Sequence, residues 1–320
     1  MRDDVVTDQY HSFKRSALRG DHFWPEGRES MEIDGNTQLV GIIGHGISYT
    51  LSPALHNAAF RALAMNWVYV PLRVRPGHVH AALRGLPALD FRGANVTVPH
   101  KVEAARMADE LRGEAAALGA ANTLVVEDGR LVGYNTDPAG FQGLLREAGV
   151  DVTGVTVGLL GAGGAARSVV LALAREGART VYVLNRTESR ALELRERLKG
   201  VVASTEIRVG KLDKEGAKVL GDCQLVVNCT PLSGDEGEEL PLDYSFLEEG
   251  KWVIDLKYGR RSALLSFAAQ RGARVADGGG MLIHQAAASF TLWTGRPAPL
   301  EVMREAYHRA VEQGNTEAKR

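Results

Sequence analysis

Two stretches of the 320-residue chain combine residue types at spacings that nucleotide chemistry requires. The first is Gly161-Ala162-Gly163-Gly164-Ala165-Ala166, a G-x-G-x-x-A pattern set directly between the apolar run Val155-Thr156-Val157-Gly158-Leu159-Leu160 and a helical pattern reaching Glu176. In that setting Gly161 permits a tight turn and Gly163 lets the backbone approach a pyrophosphate. The helix start then offers free N–H groups and the positive end of its dipole to the anion. The second stretch is Asn185-Arg186-Thr187, at the end of the next strand Val181-Tyr182-Val183-Leu184, with Arg190 following. A carboxylate at that place would hydrogen-bond the ribose 2'-hydroxyl of NAD; here there is none. Two guanidinium forks stand there instead, which favours the 2'-phosphate of NADP.

Four short polar stretches lie outside this unit, beside segments that read as buried strands, where unpaired polar groups are costly. They are Thr50-Leu51-Ser52-Pro53-Ala54-Leu55-His56-Asn57, Asn95-Val96-Thr97-Val98-Pro99-His100-Lys101, Gly119-Ala120-Ala121-Asn122-Thr123-Leu124 and Asn135-Thr136-Asp137. Asn95 and Thr97 are two apart on one strand and so face the same side, as a pocket wall requires. By spacing alone, Lys101 reads more readily as a solvated first-turn lysine than as an acid catalyst. Asp137 before Pro138 fits a helix-capping pair as well as it fits catalysis.

The elements that must carry these residues alternate. Strands are predicted at Leu39 to Gly44, Val68 to Val74 and Gly93 to Val98, with helices at Pro53 to Met65, His78 to Arg84 and Lys101 to Glu110. Pro71 inside the second strand argues for a sheet edge, where a missing N–H costs least. A hairpin follows around Glu127-Asp128-Gly129, then a helix from Asp137, the βαβ unit around the glycine turn, strands at Leu225 to Val227 and Trp252 to Asp255, and helices at Leu282 to Trp293 and Leu300 to Glu312. Such alternation predicts an α/β fold with a parallel sheet. Four segments are expected: a poorly ordered extension over 1–35, an N-terminal α/β substrate domain over 36–137, a Rossmann NADP-binding domain over 138–284, and helices over 285–315 packing back on the first domain.

Composition narrows the partners. Lys plus Arg (38) nearly balance Asp plus Glu (39), so no net field recruits nucleic acid or a membrane surface, and a small molecule is the expected partner. No apolar run approaches the roughly 20 residues of a membrane span, and the charged start Met1-Arg2-Asp3-Asp4 gives no secretory signal, so a cytoplasmic location is expected. Cys223 and Cys229 would sit roughly 20 Å apart on an extended segment, too far for a disulfide. His78 and His80 lack metal-site spacing and read as solvated surface, so no metal is expected.

Taken in order, the four polar stretches, Gly161 to Arg167, Asn185-Arg186-Thr187, Asn228-Cys229-Thr230-Pro231 and Gly278-Gly279-Gly280-Met281-Leu282-Ile283-His284-Gln285 resemble the successive signatures of the shikimate dehydrogenase family, from about Gln38 to Glu312. The resemblance implies reversible NADPH-dependent reduction of 3-dehydroshikimate to shikimate in aromatic amino-acid biosynthesis, by a monomer or homodimer. It implies Lys101 as the proton donor and acceptor with Asp137 as its partner, Thr50 and Ser52 on the substrate carboxylate, and Asn95, Thr97, Asn122, Tyr258 and Gln285 as further substrate contacts. Thr230, Leu256, Gly278 and Met281 are implied on the nicotinamide side. The chemistry agrees, because hydride transfer to a ketone leaves an alkoxide that must take a proton from a positioned acid. The chain departs from the family in Tyr49-Thr50 for His-Ser, Gly46 for proline and Pro138 for glycine. The extra methyl of Thr50 leaves open a quinate/shikimate dehydrogenase of broader specificity; the alternative in another class is a non-catalytic NADP-binding regulator, against which the retention of both Lys101 and Asp137 argues.

Overall fold

The computed structural model describes residues 33–232, 240–242, 244–259 and 262–317. Residues 1–32 of the expected extension lie outside the described residues. The chain from Asn36 onward forms one compact unit holding two six-stranded sheets.

The first sheet contains β1 (Gln38–Gly44), β2 (Trp67–Arg73), β3 (Phe91–Val96), β4 (Glu110–Leu111), β5 (Thr123–Glu127) and β6 (Arg130–Tyr134), in the order β2-β1-β3-β5-β6-β4. Four helices punctuate it: α1 (Ser52–Ala62), α2 (Val79–Ala88), α3 (Lys101–Met107) and α4 (Glu114–Leu118). β1 is parallel to β2 and β3, whereas β5 runs antiparallel to both β3 and β6. Pro71 does lie on an edge strand, opposite Ile42 of β1. This topology has one consequence for chemistry. The carboxyl ends of β1, β3 and β6 and the amino end of β5 all open on the same edge, so Thr50, Lys101, Asp137 and Asn122 emerge together.

The second sheet is wholly parallel: β7 (Thr156–Leu160), β8 (Thr180–Asn185), β9 (Glu206–Lys211), β10 (Leu225–Asn228), β11 (Trp252–Asp255) and β12 (Arg274–Asp277), ordered β12-β11-β10-β7-β8-β9. That is the doubly wound order, with its reversal between β7 and β10, the place where such sheets bind ligands. β7 is buried along its whole length, which is why it reads as an unbroken apolar run. The faces of the sheet are covered by α5 (Asp137–Ala148), α6 (Gly164–Arg175) and α7 (Glu188–Leu198) on one side and by α8 (Ala263–Gln270) on the other.

The chain closes with α9 (Gly279–Thr294) and α10 (Leu300–Glu317). α9 packs on α5, and both closing helices pack on α1, joining Phe290, Trp293, Met303 and Tyr307 to the core of Val40, Leu55 and Phe60 on the first sheet. α9 is unbroken from Gly279 to Thr294, so the expected division at 284/285 falls inside a helix. Among the described residues no helix is long and apolar enough to cross a membrane. Six of these elements were not anticipated: β4, α4, α7, β9, α8 and β12. α7 is charged on most of its surface and buries only Ala191, Leu194 and Leu198, while β9 is an edge strand of partly exposed residues, so neither carries a strong apolar period.

Candidate active site

Lys101 is the first residue of α3, four positions beyond Thr97, and its ammonium meets the Asp137 carboxylate at 2.6 Å. The two side chains are 17% and 6% exposed, so this is a sheltered pair and not the solvated first-turn lysine that spacing alone favours. Asp137 opens α5, but its carboxylate does not cap that helix. Oδ2 accepts from Lys101 and Oδ1 accepts from Asn122 Nδ2 at 2.6 Å. Likewise Ser52 is the first residue inside α1, which starts one residue earlier than expected, and its hydroxyl is free of capping duty because the cap position falls to Leu51.

Asn122 is oriented by what surrounds it. Its Oδ1 accepts from the Thr136 N–H at 2.8 Å, so its NH2 group must point at Asp137 and at Thr136 Oγ1, 3.0 Å away. A carboxylate that receives both an ammonium and an amide stays a strong acceptor, and the amide in turn keeps one carboxylate oxygen in place while the other holds the lysine.

A cavity of about 220 Å³ opens beside this pair. Thr50, Ser52, Asn95, Thr97, Lys101, Asn122, Asp137, Tyr258 and Gln285 all line it, as do Leu256, Gly278 and Met281. Thr97 lies just beyond the last residue of β3 rather than on the strand, yet it still faces the same cavity as Asn95. The wall also includes Ala165 from the glycine turn, and a Cβ placed on Gly164 would lie 3.9 Å from Lys101 Cδ. The lysine therefore stands at the junction of the two sheets' carboxyl edges. A larger and more open depression of about 610 Å³, at Arg179, Glu206 and Arg208, contains none of these residues and lies at the opposite, amino end of β8 and β9.

The nucleotide groups are disposed differently. Gly161 has φ +102° and a Cβ there would press to 3.1 Å against Thr230, so glycine is required at this turn. Gly163 is exposed, with no atom within 4 Å of where a side chain would start, which leaves the backbone open to an anion at the start of α6. Ala162 is buried in the core. At the end of β8, Asn185 donates to the Thr187 carbonyl at 2.8 Å and shapes the loop. Arg186, Thr187 and Arg190 are exposed, and the two arginines have no ion-pair partner among the described residues. Thr230 turns its hydroxyl inward onto Asn228 Oδ1 at 2.8 Å, so it offers the site its methyl group only. These groups fit a phosphorylated dinucleotide: an open backbone, a free helix start and two uncommitted guanidinium groups.

Three profiles match the chain: the shikimate dehydrogenase substrate binding domain over residues 42–124, shikimate / quinate 5-dehydrogenase over 144–230, and the shikimate 5'-dehydrogenase C-terminal domain over 278–306. A curated relative from Moorella thermoacetica named shikimate dehydrogenase (NADP(+)) is 45% identical, over 88% of this chain and 96% of its own. The chain belongs to the shikimate dehydrogenase family. Among solved structures, a shikimate dehydrogenase in complex with NADP+ superposes with a TM-score of 0.81 at 34% identity, covering 89% of this chain and 99% of its own. The Thermus thermophilus shikimate 5-dehydrogenase in complex with NADP(H) and shikimate gives 0.76 at 33% identity, covering 86% and 100%.

Sequence reasoning overlooked a second group behind this family site. Tyr69, Thr123, Thr136 and Ser289 are buried hydroxyls in contact with Asn95 or Asn122. Ser289 carried a signal: it is the lone polar residue in Ala286-Ala287-Ala288-Ser289-Phe290 and lies one helical turn past Gln285. Neither cysteine lines the cavity. Both are free thiols, and burial pushes Cys223 up to about 12 and raises Cys229 as well.

Proposed function

We propose that the chain is an NADP-dependent shikimate dehydrogenase that interconverts 3-dehydroshikimate and shikimate, with Lys101 and Asp137 as its catalytic pair. The observation that carries the residue assignment is the 2.6 Å Lys101–Asp137 contact in a cavity that also reaches the glycine turn.

In this reading the backbone at Gly161 to Ala165 and the start of α6 hold the pyrophosphate, Arg186 and Arg190 hold the 2'-phosphate, and Leu256, Gly278 and Met281 flank the nicotinamide. When bound, NADPH supplies the hydride. Thr50 and Ser52 hold the substrate carboxylate as hydroxyl donors, with Tyr258 and Gln285 beside them, while Asn95, Thr97 and Asn122 bind the ring hydroxyls. As the carbonyl becomes an alcohol, its oxygen takes a proton from the Lys101 ammonium; in the oxidative direction the Lys101 amine accepts that proton. Asp137 keeps the ammonium aimed and accepts from the substrate hydroxyl, with Asn122 fixing its other oxygen. Apolar walls from Ile42, Ile47 and Val96 limit water around the reacting carbon.

The same reading assigns residues 36–137 to substrate binding, 138–284 to the nucleotide, and 285–315 to a helical segment returning to the first domain. It also takes the protein to act in the cytoplasm, where free thiols persist, as a monomer or homodimer. A nicotinamide absorbance assay on the purified protein tests it. Shikimate with NADP+ is expected to outpace every combination of quinate or NAD+, and preference for quinate or for NAD+ would contradict the assignment.

A further inference from the structure

Asn95 faces the cavity, yet most of its hydrogen-bonding capacity is spent behind it. Its Nδ2 contacts the Asn122 carbonyl at 3.2 Å, Thr123 Oγ1 at 3.0 Å and Ser289 Oγ at 3.0 Å. A backbone carbonyl can only accept, so the NH2 group must point inward. Ser289 reinforces this, because its own proton goes to the Gln285 carbonyl at 3.0 Å, leaving a lone pair to receive the amide.

The other end of the same amide is held by Tyr69, whose hydroxyl donates to Asn95 Oδ1 at 2.8 Å. The Tyr69 ring cannot swing. It is buried, stacked on His56 with centroids 4.3 Å apart and planes 8° apart, and flanked by Trp293. Burial also raises its pKa well above that of free tyrosine, so the group remains a neutral donor throughout the working range of pH. One lone pair of Asn95 Oδ1 is thereby occupied, and the second is left for the cavity.

We infer that Tyr69 and Ser289 are positioning residues that lock the Asn95 carboxamide with its NH2 inward, so that a carbonyl oxygen is what this wall presents to the ligand. Such an oxygen selects a proton donor: one ring hydroxyl of the substrate and not an ether or ketone in its place. The inference rests on the cavity being the shikimate site.

The test uses the full-length protein and its variants Tyr69→Phe, which keeps the stacked ring, and Ser289→Ala. KM is measured for shikimate and for the two deoxy analogues that each lack one of the non-reacting ring hydroxyls. Each substitution is expected to raise KM for shikimate about 5- to 50-fold, the size of one misoriented buried hydrogen bond, with kcat and the KM for NADP+ within about two-fold. For one of the two analogues KM should not respond to either substitution, since the hydroxyl that reads Asn95 is already missing. Unchanged KM for shikimate in both variants, or equal losses for shikimate and both analogues, would overturn the inference. A wild-type protein that fails to oxidise shikimate with NADP+ would instead refute the functional reading on which it rests.

Discussion

The two halves of the site are prepared in opposite ways. On the proposed substrate side, Asn95, Asn122, Asp137 and Ser289 are buried and tied to one another. At the proposed nucleotide edge, Gly163, Arg186 and Arg190 are exposed and hold little beyond backbone turns. In the proposed assignment the difference follows from what each half would recognise. A small polyhydroxylated ring is distinguished by the direction of a few hydrogen bonds, which only fixed groups can define. A dinucleotide presents concentrated charge, which an open backbone and two long guanidinium arms can grip from many approaches. Rigid wiring serves discrimination, and free donors serve capture.

Perturbing each half should therefore give different symptoms. The largest effect is expected from Lys101→Met, which removes the proton source but leaves the apolar stem: kcat should fall on the order of a thousand-fold, with dissociation constants for shikimate and NADP+ little changed in equilibrium titration. Next comes Arg186→Ala, which should weaken NADP+ about 10- to 100-fold and NAD+ hardly at all, as read by nucleotide titration. Equal losses for both cofactors would mean that the loop binds something common to the two.

A third test concerns what a prewired half costs in stability. His56 is fully buried with neither ring nitrogen hydrogen-bonded among the described residues, and burial lowers it from 6.5 to about 3. Its folded-state value lies below the unfolded one, so between about pH 6.5 and pH 3 the unfolded chain binds the extra proton and acid favours unfolding. At about 1.4 kcal/mol per unit, this single group accounts for at most about 5 kcal/mol of acid sensitivity. His56→Leu should flatten the slope of unfolding free energy over that window, and an unchanged slope would show that the ring is reached by water. The smallest effect is expected from Thr50→Ser. Removing one methyl from the cavity wall should shift the ratio of kcat/KM between shikimate and quinate by about ten-fold at most.

Legibility in the sequence follows the same division. The glycine turn, the arginines after β8 and the edge placement of Pro71 were readable, because each depends on local backbone geometry or on a neighbour a few residues away. Lys101 and Asp137 were not, on spacing alone: they are 36 positions apart and meet only because β3 and β6 open on one sheet edge. It took the order of several motifs together to single them out. Ser289 is harder still, lying 194 positions from Asn95, and only α9 returning across the first sheet brings the two together. α7 and β9 were missed for a different reason, since partly exposed elements at a sheet edge carry a weak apolar period.

The most direct test of the account is a crystal structure of the protein with shikimate and NADP+ bound together. The account predicts Lys101 Nζ and one Asp137 carboxylate oxygen both within hydrogen-bonding distance of the same ring oxygen, with the nicotinamide facing the carbon that bears it. A complex in which shikimate lies elsewhere, or in which Lys101 turns to solvent while the ring is held by other groups, would contradict it.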